Sequence, residues 1–322
     1  MRIGKITENA LKRSVLKQIR TEYKGIESAA VGSDCAFSKE KKTFSAICPV
    51  TADISDPGFY AAIKASNSLI AQGIEPDHVA LSILLPADAE EKTLKQVVND
   101  AILAARTVGT TYAGGHTEVT AAVKRPVVTA SAVGTYEGGK ETLWPKPHAG
   151  QSLVVTKWIA LEGTAMLAKE KKTELSSKYP VPFIEDAERF RDLMDIRKEA
   201  EIAGRFHASV HDASCGGIYA ALWELAQRAG CGLKADLKKI PIRQETIEIC
   251  EFFELNPYQM LSGGALLLAA DDAEGLVRAL EDEGINAAVI GSLVEGNDRI
   301  IVNDEEERFL ELPQADEILR VL

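Results

Sequence analysis

A stretch rich in glycine, proline and aromatic residues, YEGGKETLWPKPHAG at 136–150, divides the chain into two halves. This composition interrupts regular secondary structure and is typical of a connection between domains. The chain has 322 residues, which is more than one hydrophobic core usually serves. The sequence therefore predicts two domains, residues 1–147 and residues 148–322.

Strand and helix patterns alternate in the first half. Aliphatic, β-branched runs bounded by proline or glycine predict strands. Apolar stripes with a proline just inside the start or a glycine at the end predict helices. These patterns give helices over 55–73 and 90–109 and strands over 78–86 and 126–134.

The second half shows the same mixture. Ile218, Ala221, Leu222 and Leu225 form a helical stripe that ends at Gly230. Further patterns predict strands over 151–156, 265–270, 287–293 and 299–302, and helices near 185–204 and 272–284. Because each half combines strands with helices, the predicted fold class is α+β.

Composition narrows the class of protein. Hydrophobic residues make up 46% and charged residues 26%, and the net charge is -11, which disfavours a nucleic-acid partner. Five cysteines without a Cys-x-x-Cys pair are typical of reduced thiols in a cytoplasm. No signal peptide and no run of about 18 apolar residues is present, so no membrane partner is predicted.

Two motifs fit common sites only superficially. The segment Gly134–Glu141 matches Gly-x4-Gly-Lys, but Glu141 stands where a phosphate loop needs Ser or Thr. His207 and His211 have the spacing of zinc-protease ligands, but Ala208 replaces the glutamate that would act as base. A turn is favoured for the first motif, and a zinc protease is rejected for the second.

Aspartates follow glycines or strand ends in the first half. Asp34 lies in GSDCAF, and Asp53 comes just after a predicted strand. Either could bind magnesium or cap a turn. Asp56 stands directly before Pro57, where a helix cap is the favoured interpretation.

Two glycine pairs carry further polar groups. In DASCGG (212–217) backbone amides at a helix start could face an anion, although a tight turn capped by Asp212 or Ser214 is favoured from these residues alone. In TYAGGHTEVT (111–120) the pair precedes His116 and Glu118. His116 could be an acid–base group or a core histidine.

The order of these motifs resembles a known superfamily. It consists of Gly-Lys-Ile at residue 4, Gly-x-Asp-x-Ala at 32, Thr-x-Asp at 51, an Asn67-bearing helix followed by Gly-x-x-Pro, Gly-Gly-x-Thr at 114, and Asp-x-Ser-x-Gly-Gly-Ile at 212. This resembles the superfamily of aminoimidazole ribonucleotide (AIR) synthase, also called PurM-like, and of the hydrogenase-maturation protein HypE. It is most similar to the AIR synthase-related branch.

The resemblance implies a fold and a chemistry. Residues 1–147 would be an ATP-binding and dimerisation domain, whose strands pair with those of a second subunit into a β-barrel. Residues 148–322 would be a C-terminal α/β domain. The implied protein is a cytoplasmic homodimer that uses ATP and Mg²⁺ to activate an oxygen of a small amide, carbamoyl or related substrate, with a maturation protein as a further partner.

The resemblance also implies site residues. Asp34 and Asp53 match the family's magnesium-binding acids, and His116 and Glu118 would contact phosphate or act as acid and base. The implied nucleotide-binding residues include these two aspartates and also Lys5, Asn67, Gly114, Gly115, Asp212, Gly216 and Gly217.

The chain departs from the family pattern at several positions. Ser33, Ser68 and His116 stand where many members carry an acid, which would weaken magnesium binding. The last cysteine is Cys250, so the C-terminal cysteine that carries the carbamoyl group in HypE is absent. A catalytically degenerate paralogue, which binds nucleotide or a partner protein without turnover, is therefore the competing hypothesis.

Overall fold

The computed structural model describes residues 3–23, 28–38, 42–136 and 145–322. The chain forms two compact units. We call Asp34–Glu141 the inserted unit, and Met1–Ser33 together with Thr142–Val321 the terminal unit. The N-terminal segment belongs to the terminal unit because its polar side chains bind there: Trp223 Nε1 donates a hydrogen bond to Glu8 Oε2 at 2.7 Å.

A short helical segment opens the terminal unit. It comprises α1 (Glu8–Leu11), a π-helical turn (Lys12–Leu16) and α2 (Lys17–Glu22). Lys12 forms an i,i+4 ion pair with Glu8, and only Leu16 is buried in these three elements. The segment is thus held by polar contacts more than by an apolar stripe.

The inserted unit contains one sheet and two helices. Its strands lie in the order β1-β2-β5-β3-β4, antiparallel except for the parallel pair β3–β4. The elements are β1 (Ala36–Ser38), β2 (Thr43–Val50), α3 (Pro57–Ile70), β3 (His78–Leu85), α4 (Glu91–Thr107), β4 (Thr111–Val119) and β5 (Val127–Thr135). Both predicted helices and both predicted strands of this half are confirmed.

Helix α3 is the centre of this unit. Every residue from Pro57 to Ile70 except Ser68 is buried, and the helix packs on β2, β5 and α4. A Cβ at Gly58 would lie 2.1 Å from the Val97 carbonyl oxygen of α4, so glycine permits the close approach of the two helices. This packing buries one face of the sheet.

The opposite face of that sheet is more exposed, and we call it the open face. In β3, Val79, Leu81, Ile83 and Leu85 are buried, whereas the alternate residues are only partly buried. Strand register places the alternate residues on one face, as period-2 geometry requires. The open face carries Ile47, Ala80, Ser82, Thr129, Ser131, His116 and Glu118.

The terminal unit is built on a seven-stranded sheet in the order β12-β11-β8-β10-β6-β9-β7, in which only β11–β8 is parallel. The strands are β6 (Ser152–Thr156), β7 (Ser209–Asp212), β8 (Gly232–Asp236), β9 (Leu266–Ala270), β10 (Ala287–Val294), β11 (Arg299–Asn303) and β12 (Glu306–Phe309). The predicted strands over 151–156, 265–270, 287–293 and 299–302 are confirmed.

Helices cover this sheet. They are α5 (Leu161–Glu170), α6 (Lys172–Leu175), α7 (Val181–Glu188), α8 (Arg197–Arg205), α9 (Gly217–Ala229), α10 (Gln244–Phe252) and α11 (Ala273–Asp282), with 3₁₀ turns at Arg189–Leu193, Leu237–Lys239, Pro257–Gln259 and Glu317–Arg320. The predicted stripe on α9 packs into the main core. The charged tract near 185–204 is helical but divided into three pieces.

Strand direction brings two helix starts to one edge of the terminal sheet. Both β6 and β7 pair antiparallel with the buried strand β9, so they run parallel to each other. Their carboxyl ends therefore meet at the same edge, and α5 and α9 leave from there. Such an edge is where ligands commonly bind in α/β sheets.

The mixed α+β class is confirmed. The predicted connection at 136–150 and the glycine motif ending at Glu141 fall largely on residues 137–144, outside the described part. In the described part of the chain, no helix combines the length and apolar character needed to cross a membrane.

Candidate functional site

Asp53 lies after β2 in the connection to α3, as its place in the sequence indicated. Its side chain is exposed, and its Oδ2 is 3.6 Å from Arg125 Nη1. An exposed ion pair of this length is weak. The carboxylate is therefore free to exchange this arginine for another cation.

Asp34 lies before β1, at the start of the inserted unit. Its Oδ2 accepts a hydrogen bond from Gln72 Nε2 at 3.1 Å. Burial, followed by the charge of Asp34, raises the pKa of the neighbouring Cys35 thiol to about 12. Cys35 is thus a protonated thiol at neutral pH. The side chain that could bind a cation at this position is therefore the carboxylate of Asp34.

Helix α3 carries buried polar residues. Asn67 is buried and Lys64 stands one turn earlier, with exposed fractions of 1% and 5%. Residues three apart on a helix share a face. Asp56, directly before the helix, is also buried, but its side chain makes no cap hydrogen bond. The sequence analysis did not identify Lys64 as a candidate site residue. The feature that could have identified it is a single lysine within the apolar run PGFYAAIKASNSLI.

The glycine pair of TYAGGHTEVT lies inside β4, an edge strand. The register with β3 shifts at this point, so Ala113 is an extra residue before Gly114. A Cβ at Gly115 would lie 1.9 Å from the Leu81 carbonyl oxygen, whereas a Cβ at Gly114 would meet nothing within 4 Å. The close approach at Gly115 is thus to strand β3, and Gly114 leaves open space beside the backbone.

His116 and Glu118 form a pair on the open face. Strand register places them beside Ser82 and Leu84, and His116 Nε2 lies 2.9 Å from Glu118 Oε2. Both side chains are exposed. The alternative interpretation of His116 as a core histidine is therefore wrong. An imidazole beside a carboxylate can hold or transfer a proton.

The second glycine pair connects β7 to α9 in the terminal unit. Asp212 ends the strand, and Gly216 and Gly217 have φ angles of +82° and +65°, a region that favours glycine. A Cβ at Gly217 would lie 2.7 Å from the carbonyl oxygens of Tyr258 and Met260. Gly217 therefore permits the close approach of this loop to residues 258–260.

A carboxylate from the end of the chain binds this loop. The Gly216 N–H donates to Asp316 Oδ2 at 2.7 Å, and the Leu261 N–H donates to Asp316 Oδ1 at 3.2 Å. Burial raises the pKa of Asp316 to about 6, and Glu162 adds to the effect, against the backbone hydrogen bonds. The helix start does face an anion, and that anion belongs to the protein.

Lys5 lies against α9. Its Nζ forms an ion pair with Glu224 Oε1, and His211 Nε2 lies 3.2 Å from Glu224 Oε2. Burial alone would raise the pKa of Glu224, but the hydrogen bond with His211 and the charge of Lys5 outweigh it and lower the pKa to about 2. The Glu224 carboxylate thereby links Lys5 to His211, which lies near the end of strand β7.

A third glycine pair, Gly263 and Gly264, follows Ser262 at the same edge of the sheet, directly before β9. The sequence analysis did not identify it. The Gly263 N–H donates to the fully buried Glu162 at 3.2 Å, and the Ala160 N–H donates to Ser262 Oγ at 2.8 Å. The sequence feature that could have identified this loop is a glycine pair directly before an apolar strand. Two carboxylates, Glu162 and Asp316, thus bind amides at this edge.

No group of three or more His, Cys, Asp or Glu side chains is arranged to hold a metal ion within the described ranges. The cysteine thiols there range from buried Cys250 to exposed Cys215. Burial raises the pKa of Cys250 to about 12, so it is no nucleophile at neutral pH.

Two family models account for most of the chain. The N-terminal domain model of AIR synthase related proteins matches residues 14–136, and the C-terminal domain model matches residues 148–303. The chain belongs to the AIR synthase related protein family. The resemblance drawn from the order of the motifs is confirmed.

Similar proteins of this family include hydrogenase-maturation proteins. The carbamoyl dehydratase HypE of Rhodobacter capsulatus is 26% identical over 283 residues, which cover 83% of the chain and 77% of that protein. A HypE–HypF complex structure gives a TM-score of 0.76 at 19% identity, covering 93% of this chain and 100% of that chain. HypE in complex with ATP gives 0.70 at 16% identity, covering 94% and 96%. At these identities the solved structures establish the shared fold.

Proposed function

We propose that this AIR synthase related protein is an ATP-dependent enzyme that activates an oxygen of a small amide, carbamoyl or related substrate. The observation that carries the proposal is the match of both domain models together with the likeness to HypE, a carbamoyl dehydratase in Rhodobacter capsulatus and an ATP-bound protein in one solved structure. The fold alone would not specify a function. The polar residues described above supply the chemistry.

Magnesium would enter with ATP and be ligated by Asp34 and Asp53. Mg²⁺ is commonly held by one or two carboxylates together with substrate phosphates and water. Asp34 Oδ2 accepts a hydrogen bond from Gln72, and Asp53 lies in a weak, exposed ion pair with Arg125. Both residues supply the carboxylate oxygens that this mode of binding uses. A bound Mg²⁺ would neutralise charge on the phosphates.

His116 and Glu118 would perform the proton transfers. Their 2.9 Å contact lets the carboxylate orient the ring. Both side chains are exposed and can therefore reach a bound ligand. In this role His116 takes the place of the acid that many relatives carry.

The remaining implied residues would bind the nucleotide. Backbone amides near Gly216 and Gly217 lie at the start of α9, where the helix dipole favours a phosphate, and Asp212 precedes them. Gly114 leaves open space beside β4. Lys5 and Asn67 complete the proposed set, together with Gly115, whose first role is packing on β3.

We also propose a homodimer formed through the inserted unit. Strand β4 is an edge strand, and Ile47 on β2 and Val119 on β4 are 73% and 62% exposed. An unpaired edge strand and exposed apolar side chains elsewhere on a sheet each favour pairing with a second copy. Such pairing would close the sheet into the barrel implied by the family.

Three further parts of the proposal follow from the resemblance. Residues 1–147 would form the ATP-binding and dimerisation domain, and residues 148–322 the C-terminal domain. The HypE–HypF complex supports a maturation protein as a partner in the cytoplasm. A small molecule would be the substrate.

The competing function is nucleotide or partner binding without turnover. Ser33, Ser68 and His116 at usually acidic positions favour it. Retention of Asp34, Asp53 and the His116–Glu118 pair favours the enzyme. The two hypotheses differ in whether ATP is consumed.

The test is isothermal titration calorimetry of ATP with magnesium or with EDTA, on the wild type, Asp53→Ala and the control Asp88→Ala. Asp88 is an exposed carboxylate of the same unit. The enzyme hypothesis expects magnesium-dependent binding that only Asp53→Ala abolishes. Binding that is equal in EDTA supports the degenerate paralogue, and the lack of any ATP binding rejects both nucleotide hypotheses.

A further inference from the structure

The last residues of the chain lie on the second glycine loop, and we call residues 315–320 the C-terminal segment. Asp316 accepts hydrogen bonds from three backbone amides, those of Gly216 at 2.7 Å, Leu261 at 3.2 Å and Ile318 at 3.1 Å. Ile318 belongs to the segment itself, but Gly216 and Leu261 belong to two separate loops. One carboxylate thus joins the end of the chain to the edge of the terminal sheet.

The amide of Gly216 immediately precedes α9, a helix of 13 residues. The first amides of a helix lack acceptors within the helix, and the dipole makes this end attractive to anions. The shortest of the three hydrogen bonds to Asp316 is the one from Gly216. A carboxylate of the protein therefore occupies the position that a phosphate oxygen would use at this loop.

The surroundings of Asp316 do not favour its charge. Within the described residues, no lysine, arginine or histidine forms an ion pair with it, and burial together with nearby Glu162 raises its pKa to about 6. The hydrogen bonds of its carboxylate are with backbone amides. A phosphate group offers more acceptor oxygens than one carboxylate, so it can accept hydrogen bonds from the same donors.

Other contacts hold the segment independently of Asp316. The Asn256 N–H donates to Glu317 Oε2 at 3.0 Å, and Arg320 Nη1 donates to the Glu254 carbonyl oxygen at 3.0 Å. These contacts are with one loop, residues 254–256, and not with the amide of Gly216. The segment can therefore release the glycine loop and remain attached.

We propose that Asp316 is an internal competitor of phosphate: its carboxylate fills the amide site formed by Gly216 and Leu261 and has to leave before a nucleotide phosphate binds there. This inference rests on the proposed nucleotide binding. It adds a regulatory role for the C-terminal segment, because whatever releases the segment raises the apparent affinity for ATP.

The experiment measures ATP–magnesium affinity by calorimetry for the wild type, Asp316→Ala, Asp316→Asn and Glu311→Ala. Glu311 is an exposed carboxylate five residues earlier, so Glu311→Ala matches the charge change of Asp316→Ala. We expect Asp316→Ala to bind ATP about fivefold more tightly or better, and Glu311→Ala to stay within about twofold of the wild type. Asp316→Asn preserves the side-chain volume if the alanine variant fails to fold.

A second measurement uses the wild type only. Hydrogen–deuterium exchange should increase in peptides covering 315–320 when ATP and magnesium, or inorganic pyrophosphate, are added. Unchanged exchange at saturating ATP, equal affinity of the wild type and Asp316→Ala, or an equal gain in Glu311→Ala would each overturn the inference while nucleotide binding stands. No binding to any variant would reject the inference and the proposed function together.

Discussion

His116 Nε2 lies 2.9 Å from Glu118 Oε2 on the open face of an edge strand, with both side chains exposed. An exposed pair of this kind contributes about 1 kcal/mol or less to stability. Removing either side chain should therefore change the stability of the fold little.

The first prediction concerns this pair. His116→Ala and Glu118→Gln should each lower the free energy of unfolding by less than about 1 kcal/mol, yet reduce ATP turnover roughly 100-fold or more. Urea denaturation and phosphate release measure the two effects. Glu91→Gln, in the exposed Glu91–Lys95 pair, is the control and should change neither. Full turnover in His116→Ala would exclude an acid–base role.

A second prediction separates the two glycines of β4. Gly115→Ala places a methyl 1.9 Å from the Leu81 carbonyl oxygen, so strands β3 and β4 have to part. We expect a loss of more than about 3 kcal/mol in denaturant unfolding. Gly114→Ala is the matched control, because its φ of +134° is similar but nothing lies within 4 Å of the new methyl. Its cost should be limited to backbone strain, about 1–2 kcal/mol. Equal losses would contradict this account.

A third prediction concerns the buried ion pair after β6. Lys157 Nζ lies 2.6 Å from Glu199 Oε1 and also donates to the Leu193 and Asp195 carbonyl oxygens. Lys157→Met leaves Glu199, which is 2% exposed, without its cation, and should cost about 3–5 kcal/mol. Lys234→Met, in the exposed Lys234–Glu307 pair, should cost about 1 kcal/mol or less. Comparable melting temperatures for both variants would argue against the buried pair as a structural centre.

A fourth prediction follows from Glu224. Burial opposes its charge, but His211 and Lys5 lower its pKa from 4.5 to about 2. Because the folded-state pKa is depressed, the stabilisation is complete above about pH 4.5 and is lost as the pH falls toward 2. It amounts to about 3 kcal/mol at pH 7 and roughly half of that near pH 3.

Unfolding of the wild type and Glu224→Gln should therefore differ most at pH 7, and the difference should narrow between pH 4.5 and 3. Glu307→Gln, whose carboxylate is half exposed, should show a small difference that varies little with pH. A gap between the wild type and Glu224→Gln that is constant from pH 7 to pH 3 would mean that the carboxylate does not stabilise the fold through its charge.

Local patterns predicted the elements well. Pro57 and the apolar run after it define α3, and the stripe ending at Gly230 defines α9. Short elements such as the four-residue strand β12 were not predicted, because they contain too few residues for a hydrophobic periodicity to be recognised. The close packing of Gly115 on strand β3 was not predicted either, since a contact between residues 81 and 115 leaves no pattern in the local sequence.

The site was predictable only in part. Glycine pairs and aspartates could be found as motifs, but their partners are distant in sequence. Asp34 binds Gln72, 38 residues away, and Gly216 binds Asp316, 100 residues away. An anion-binding helix start can be inferred from glycines before an apolar stripe, whereas the acceptor that fills it is fixed by tertiary structure.

The pairing of Lys5 and Glu8 with Glu224 and Trp223 has a consequence for the order of folding. The inserted unit is one continuous stretch, but the terminal unit needs contacts across 219 residues of chain. At about 5–20 residues per second, a ribosome takes roughly 10–40 s to make that distance. During this interval the N-terminal segment has none of its partners on α9, so on the nascent chain the terminal unit becomes stable last.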